Sequence, residues 1–330
     1  MPERHHGCVP ERHHGCVPER DDGCVPERHD GCVPERNSGC VPERHSRVRV
    51  VDRIDLVRKE LDEARARGST VGLVPTMGAL HDGHTSLIRR AADECDVTLV
   101  TVFVNPLQFG PGEDLARYPR DLDGDAAVAT GAGADLIFAP PVGEMYPEPP
   151  VVRVDVGGGL ADRLEGATRP GHFSGVATVV AKLFAIAGEC RAYFGEKDYQ
   201  QLLVVKRLAA DLSFPVDVVG CPIIREPDGL ALSSRNAYLS ADEGRAATVL
   251  SRALRAASAS PERDAARLRA QMAATVAEEP LVRLDYAEVT DAATLEPIDD
   301  VPAGARRARL LIAAWVGPTR LIDNMEVTRS

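Results

Sequence analysis

The chain is 330 residues long, 44% hydrophobic and 27% charged, with a formal net charge of −11. That length allows two domains with buried cores. The acidic balance argues against a general nucleic-acid binder, and any anion site must concentrate positive charge locally. No apolar run approaches the roughly 20 residues of a membrane span, and no secretory leader is expected because the first residues lack an apolar segment. The expected setting is the cytoplasm, with no nucleic-acid or membrane partner.

Residues 2–46 repeat an octapeptide, Val-Pro-Glu-Arg-x-x-Gly-Cys, with Met1 in place of the first valine. No copy offers an apolar face to bury, so the segment is expected to be disordered. Its clustered His and Cys suggest a metal-binding or redox tail. Cys at every eighth position, rather than in Cys-x-x-Cys pairs, argues against that. Near-identity of the copies favours a duplicated nucleotide repeat, included through a start codon placed too far upstream. Outside it stand only Cys95, Cys190 and Cys221, which is no disulfide framework; reduced thiols fit better.

From Val48 the pattern alternates. Residues 52–67 read as a helix and 71–74 as a strand. Then comes Pro75-Thr76-Met77-Gly78-Ala79-Leu80-His81-Asp82-Gly83-His84, followed by a helical pattern over 83–95. A strand, a small-residue turn and a helix start present unpaired N–H groups and a partial positive charge. His81 and His84, three apart, add ring donors on one side. The whole reads as an anion site, suited to a nucleotide phosphate. His-Glu-x-x-His and the Walker phosphate loop are both absent.

Residues 97–104 are nearly all apolar, as a strand buried on both faces requires. Asn105 and Gln108 then emerge at its C-terminal end, where carboxamides would suit a hydroxy acid; a turn residue and a surface amide are the alternative. Helices are expected over 121–130, 174–187 and 197–212, and strands over 134–138, 192–194 and 216–219. Asp121, Asp123 and Asp125 offer carboxylates for Mg²⁺ or simply a solvated helix start. Arg169 and His172 form a polar cluster of no assigned duty. Lys197, after Gly195 and Glu196 and before Asp198, sits at a helix start, where a cation is unfavourable unless an anion binds. Leu232-Ser233-Ser234-Arg235 combines hydroxyls and a guanidinium suited to a polyphosphate.

Repeated strand–helix units imply an α/β fold with a parallel sheet and a site at the strand C-terminal ends. After residue 223 the pattern changes. Two helices are expected over 242–257 and 261–278, with Ser260 as cap and Pro261 in the first turn. Strands follow over 284–290, 309–316 and 319–322, with Gly317-Pro318 as the last turn. The division is thus 1–46 repeat, 47–223 nucleotide-binding domain, and 224–330 small α+β domain, a lid.

The 75–84 segment, Val-Phe-Val-Asn-Pro-Leu-Gln-Phe-Gly at 102–110, Phe-Gly-Glu-Lys-Asp-Tyr-Gln-Gln at 194–201 and Leu-Ser-Ser-Arg-Asn at 232–236 together resemble the pantoate–β-alanine ligase (pantothenate synthetase) family over about residues 48–326. The resemblance implies a Rossmann-like nucleotidyltransferase domain with a small C-terminal domain, and a homodimer. It implies ATP as co-substrate with Mg²⁺, and pantoate and β-alanine as substrates. The acid is adenylated, pyrophosphate leaves, and the amine displaces AMP. It places His81 and His84 on phosphate, with His84 as proton donor, and the backbone of Met77, Gly78, Ala79, Leu80, Asp82 and Gly83 along ATP. Gly195, Glu196, Lys197 and Asp198 bind nucleotide, with Lys197 on phosphate and Asp198 on ribose. Ile224 and Leu232 fall by the nucleotide, and Ser233, Ser234 and Arg235 on the outer phosphates. Gln108 and Gln201 hold pantoate beside Asn105, and Asp125 meets Mg²⁺. Gly124 departs from the family's acidic residue there. Two other readings stay open: a nucleotidyltransferase acting on a phosphate ester, and a metal-sequestering protein defined by its tail.

Overall fold

The structure, a computed structural model, describes residues 48–304 and 307–328. The octapeptide repeat, expected to be disordered, lies outside the described residues.

The first part is a six-stranded parallel sheet. In chain order its strands are β1 (Arg49–Val51), β2 (Val71–Thr76), β3 (Val97–Val102), β4 (Leu136–Phe138), β5 (Cys190–Gly195) and β6 (Val216–Cys221). They lie side by side as β1-β4-β3-β2-β5-β6. Its helices are α1 (Ile54–Ala66), α2 (Asp82–Glu94), α3 (Leu122–Ala132), α4 (Val142–Met145), α5 (Glu165–Thr168), α6 (His172–Ala187) and α7 (Tyr199–Asp211). The Rossmann-like parallel sheet is therefore as expected. The strands alternate between two cores. Leu73, Leu99 and Phe138 pack with α1, α6 and α7 on one face. Val74, Val100, Ile137 and Tyr193 pack with α2 and α3 on the other. Burial on both faces explains why β2 and β3 read as unbroken apolar runs.

The chain leaves β2 toward β3 and β4 on one side, and toward β5 and β6 on the other. The strand order thus reverses between β2 and β5. Their loops diverge there and leave a crevice at the strand C-terminal ends.

The second part contains α8 (Ala241–Ala247), α9 (Val249–Ala259), α10 (Ala265–Ala277) and the antiparallel sheet β7 (Val282–Asp291), β8 (Ala308–Val316), β9 (Thr319–Val327). Gly317 and Pro318 connect the paired Val316 and Thr319, as expected. The single helix expected over 242–257 is instead two, because the Thr248 hydroxyl donates back to the Arg245 carbonyl at 2.7 Å. Ser260 does not cap the next helix. Asp264 does, accepting from the Arg267 N–H at 3.0 Å, and residues 261–264 stay extended or turned. β1 has no signal in the sequence, since three residues carry too little periodicity.

A buried ion pair ties helix α5 to the C-terminal sheet. Glu165 of α5 meets Arg320 of β9 at 2.6 and 2.9 Å, and accepts from the Tyr286 hydroxyl of β7 at 2.9 Å. No helix among the described residues is long and apolar enough to cross a membrane.

Candidate active site

The crevice between β2 and β5 holds a cavity of about 230 Å³. Four loops line it, one from the C-terminal end of each of β2, β3, β5 and β6. From the first come Met77, His81, Gly83 and His84; from the second, Asn105 and Gln108. The third adds Gly195, Lys197, Asp198 and Gln201, and the fourth Ile224, Leu232, Ser233, Ser234 and Arg235. A larger cavity of about 600 Å³ adjoins it against the C-terminal sheet and shares Arg169, His172, Lys197, Asp198, Gln201, Ser233 and Arg235 with it.

The turn after β2 is shaped by its backbone. Gly78 and Ala79 both adopt left-handed conformations, with φ of 85° and 52°. The buried Thr76 hydroxyl accepts from the Gly78 N–H at 3.2 Å. The Asp125 carboxylate accepts from the N–H groups of Ala79 and Leu80 at 3.1 and 2.7 Å. Asp125, expected as a magnesium ligand, has both carboxylate oxygens engaged by the turn. Asp125 does not line the cavity; it holds the turn that does. A Cβ on Gly78 would come within 2.7 Å of it. Burial raises the Asp125 carboxyl while the two N–H donors lower it, and the net shift is upward. A Cβ on Gly124 would displace the Asp121 carboxylate, which caps α3. Among the described residues no group of three or more His, Cys, Asp or Glu could hold a metal. Gly78, Ala79, Leu80, Asp82 and Glu196 are not among the residues that line this cavity.

His81 and His84 cap α2 reciprocally. The His81 Nδ1 accepts from the Gly83 N–H at 3.1 Å, and the His84 Nδ1 accepts from the His81 N–H at 3.3 Å. The rings sit 4.1 Å apart. With both Nδ1 atoms accepting, each neutral ring carries its proton on Nε2. Burial, then the His81 ring, pushes His84 down to about 3. Burial and Lys197 lower His81 too. In the free protein near neutral pH the two rings are therefore hydrogen-bond donors through Nε2–H. They are not imidazolium cations.

Lys197 approaches Asp198 at 3.5 Å. Burial raises the Asp198 carboxyl, yet Lys197 and Arg235 hold it below the ordinary range. The Ser233 hydroxyl caps the following turn by accepting from the Arg235 N–H at 3.3 Å. Ser234 donates to the Ala79 carbonyl at 3.4 Å, which joins the first and fourth loops. The Ile224 carbonyl accepts from the Leu232 N–H at 3.0 Å.

Asn105 is 1% exposed and its carboxamide is already engaged. It donates to the Gln108 Oε1 and the Gly175 carbonyl, both at 3.1 Å, and accepts from the Leu107 N–H and the Tyr146 hydroxyl. Its geometry orients Gln108. Gln108 in turn donates to the Met77 sulfur at 3.1 Å. Sequence reasoning left Arg169 and His172 without a duty and did not single out Glu113. Arg169 pairs with Glu113 through two contacts of 2.7 and 2.6 Å. Its Nη1 lies 2.9 Å from the His172 Nε2, while the His172 Nδ1 lies 2.9 Å from the Gln108 carbonyl. A carbonyl only accepts, so His172 carries its proton on Nδ1 and accepts from Arg169. No local pattern could have revealed this, because the partners come from separate loops.

Burial, then Arg169, pushes His172 down to about 4. A histidine lowered by folding is neutral in the native protein and protonated in the unfolded chain between its native value and about 6.5. The unfolded state binds more protons in that window. Stability there rises with pH, and it is lost as pH falls from about 6.5 toward 4. His172→Asn, which retains a donor, is expected to flatten urea-unfolding free energies across that range by about 3 kcal/mol. An unaltered pH slope would mean that the ring titrates freely in the fold.

Comparison with known proteins identifies this arrangement. The family model described as pantoate-beta-alanine ligase matches residues 49–326. A pantothenate synthetase of Roseiflexus sp. is 56% identical over 269 residues, covering 80% of this chain and 95% of that protein. One from Rubrobacter xylanophilus is 57% identical over 269 residues, covering 79% and 92%. The crystal structure of pantothenate synthetase from Thermus thermophilus is similar at a TM-score of 0.80 and 50% identity, covering 86% of this chain and 100% of that one. That of pantoate-beta-alanine ligase from Francisella tularensis, described as complexed with beta-gamma ATP and beta-alanine, gives a TM-score of 0.70 and 33% identity, covering 84% and 97%. With the family model spanning nearly all the described residues and relatives above half identity, the chain belongs to the pantoate-beta-alanine ligase family.

Proposed function

We propose that this chain joins pantoate to β-alanine using ATP, through a pantoyl-adenylate. The observation that carries the reading is the convergence of four loops on one cavity at the point where strand order reverses, in a chain of this family. A bare carboxylate is a poor acyl donor, because oxide is a poor leaving group. In the first step a pantoate carboxylate oxygen bonds to the α-phosphorus of ATP and pyrophosphate departs. In the second the β-alanine nitrogen bonds to the acyl carbon, AMP departs, and the nitrogen loses a proton.

The protein's part is positioning and charge neutralisation. Lys197, Arg235 and the hydroxyls of Ser233 and Ser234 face the phosphates, joined by the Nε2–H groups of His81 and His84. A neutral His84 donates a hydrogen bond to the departing phosphate oxygens and needs no prior protonation. Asp198 and the backbone at Gly195 and Ile224 take the nucleoside. Gln108 and Gln201 take pantoate, with Asn105 positioning Gln108. A magnesium ion would enter with the ATP phosphates, since no group of three or more His, Cys, Asp or Glu among the described residues could hold one. The segment from residue 224 onward acts as a lid on the domain spanning 47–223. A homodimer in the cytoplasm belongs to the same proposal. Cys95, Cys190 and Cys221 are free thiols, as a reducing compartment favours.

The test is AMP release. AMP is expected only when ATP, pantoate and β-alanine are all present, in step with pantothenate. ATP and pantoate alone should give about one pyrophosphate per site, then stop. AMP formed without pantoate, or none with the full mixture, would refute the assignment.

A further inference from the structure

Behind the cavity, two successive residues of β9 reach the loops that carry the cations. Asn324, 2% exposed, donates its amide hydrogens to the carbonyls of Glu196 and Lys197 at 2.9 and 2.8 Å. Those carbonyls belong to the two peptide planes flanking the Lys197 Cα, so holding both restrains the direction in which Lys197 leaves the backbone. The Asn324 oxygen accepts from the Arg309 Nε at 2.8 Å. Arg309, 3% exposed, pairs with Glu196 at 3.0 Å and lies 3.8 Å over the Tyr199 ring. Asn324 directly, and Arg309 through Glu196, thus hold the Glu196–Asp198 turn, while Arg309 also lies 3.8 Å from Glu326.

The neighbouring Asp323, 4% exposed, accepts from both terminal nitrogens of Arg225 at 2.6 and 2.9 Å. Arg225 opens the loop that ends in Ser233, Ser234 and Arg235. It pairs with Ala231 across that loop and donates to the Gly229 carbonyl at 3.1 Å. One strand therefore holds both cation-bearing segments, at adjacent positions.

We propose that Asp323 and Asn324 are positioning residues, forming a clamp that sets Lys197 and Arg235 at the spacing required by the triphosphate. The inference rests on reading Lys197 and Arg235 as phosphate-facing. Two cations drawn to one anion repel each other before it arrives, and a buried scaffold supplies the order that the ligand would otherwise have to impose.

The experiment measures KM for ATP and for pantoate in Asn324→Ala, Lys197→Ala and the double variant. Asn324→Ala is expected to raise the ATP KM about tenfold while the pantoate KM stays within about threefold, since displacement of one group by a fraction of an ångström suffices. Adding Asn324→Ala to Lys197→Ala should bring little further loss, because the lysine it positions is gone. A general structural role would raise both KM values and persist in the double variant, which would overturn the clamp. If Lys197→Ala uses ATP normally, the phosphate reading itself falls. If Lys197→Ala is impaired and Asn324→Ala is not, the clamp alone falls. Should Asn324→Ala not yield folded protein, Asp323→Asn carries the test. It keeps the volume and removes the charge facing Arg225, and an ATP KM within about twofold of the parent would overturn the proposal.

Discussion

His84→Ala is expected to slow adenylate formation by about 10²-fold or more, the usual loss when one donor to a developing anion is removed. The ring serves twice. Its Nδ1 accepts from the His81 N–H, which locks the start of α2 and fixes the tautomer. Its Nε2–H then faces the cavity as a neutral donor. Burial holds the ring near a pKa of about 3 in the free protein, so near neutral pH no proton has to be removed or added before ATP binds. A bound triphosphate raises the basicity of the ring, because an adjacent anion favours the charged form. The departing pyrophosphate therefore meets a donor whose basicity rises with the negative charge beside it. Single-turnover measurement of pantoyl-adenylate isolates the step. His84→Gln, which can replace either the cap or the donor but not both, should fall between alanine and the parent. Near-normal adenylation by His84→Ala would remove His84 from the phosphate site, whatever happened to stability.

The parts of this site that are legible in the sequence are those carried by local pattern. β2 and β3 announce themselves by apolar runs because both their faces are buried. Each is followed at once by its functional loop, so His81, His84 and Gln108 stand out without knowledge of any contact. Lys197 is visible as a violation, a cation at a helix start. What stays hidden depends on contacts between distant segments. For Asp125 composition shows a carboxylate but not its partners; 46 residues separate it from the Ala79 N–H it accepts from. Asn105 looks like a substrate contact, and its amide is instead engaged by four protein groups. The pairing of Arg225 with Asp323 spans 98 residues and has no local signal. The break at Thr248 and the late start of α10 escape the pattern because side-chain bonding to the backbone, by the Thr248 hydroxyl and the Asp264 carboxylate, competes with helix propensity over a few tenths of a kcal/mol.

Gly175→Ala is expected to cost about 10²-fold in kcat/KM for pantoate, although Gly175 touches no substrate in the proposed reaction. It lies in the first turn of α6, against the 3-10 turn Pro106–Gln108. A Cβ there would come within 2.2 Å of the Leu107 carbonyl oxygen and 2.7 Å of the Gln108 Cα. Both atoms are backbone, so no side-chain rotation relieves the clash. The turn must shift, by about 1 Å, a displacement of the size that costs 10²-fold when it moves a positioning group. The turn cannot shift freely either. The Gly175 carbonyl accepts from Asn105, and His172, one helical turn earlier, donates to the Gln108 carbonyl. Overpacking of this kind also lowers stability by about 1–3 kcal/mol. Gly244→Ala separates the two effects. Gly244 lies within α8 with nothing within 4 Å of its added Cβ, so the substitution should gain about 0.5–1 kcal/mol from helix propensity and leave pantoate use unchanged. The decisive comparison is kinetic, made well below the melting temperature of both variants. If Gly175→Ala melts earlier but keeps its pantoate kcat/KM within about threefold of the parent, the turn yields without moving Gln108. The close approach of α6 would then be a matter of packing alone, and Gln108 would owe its placement to Asn105.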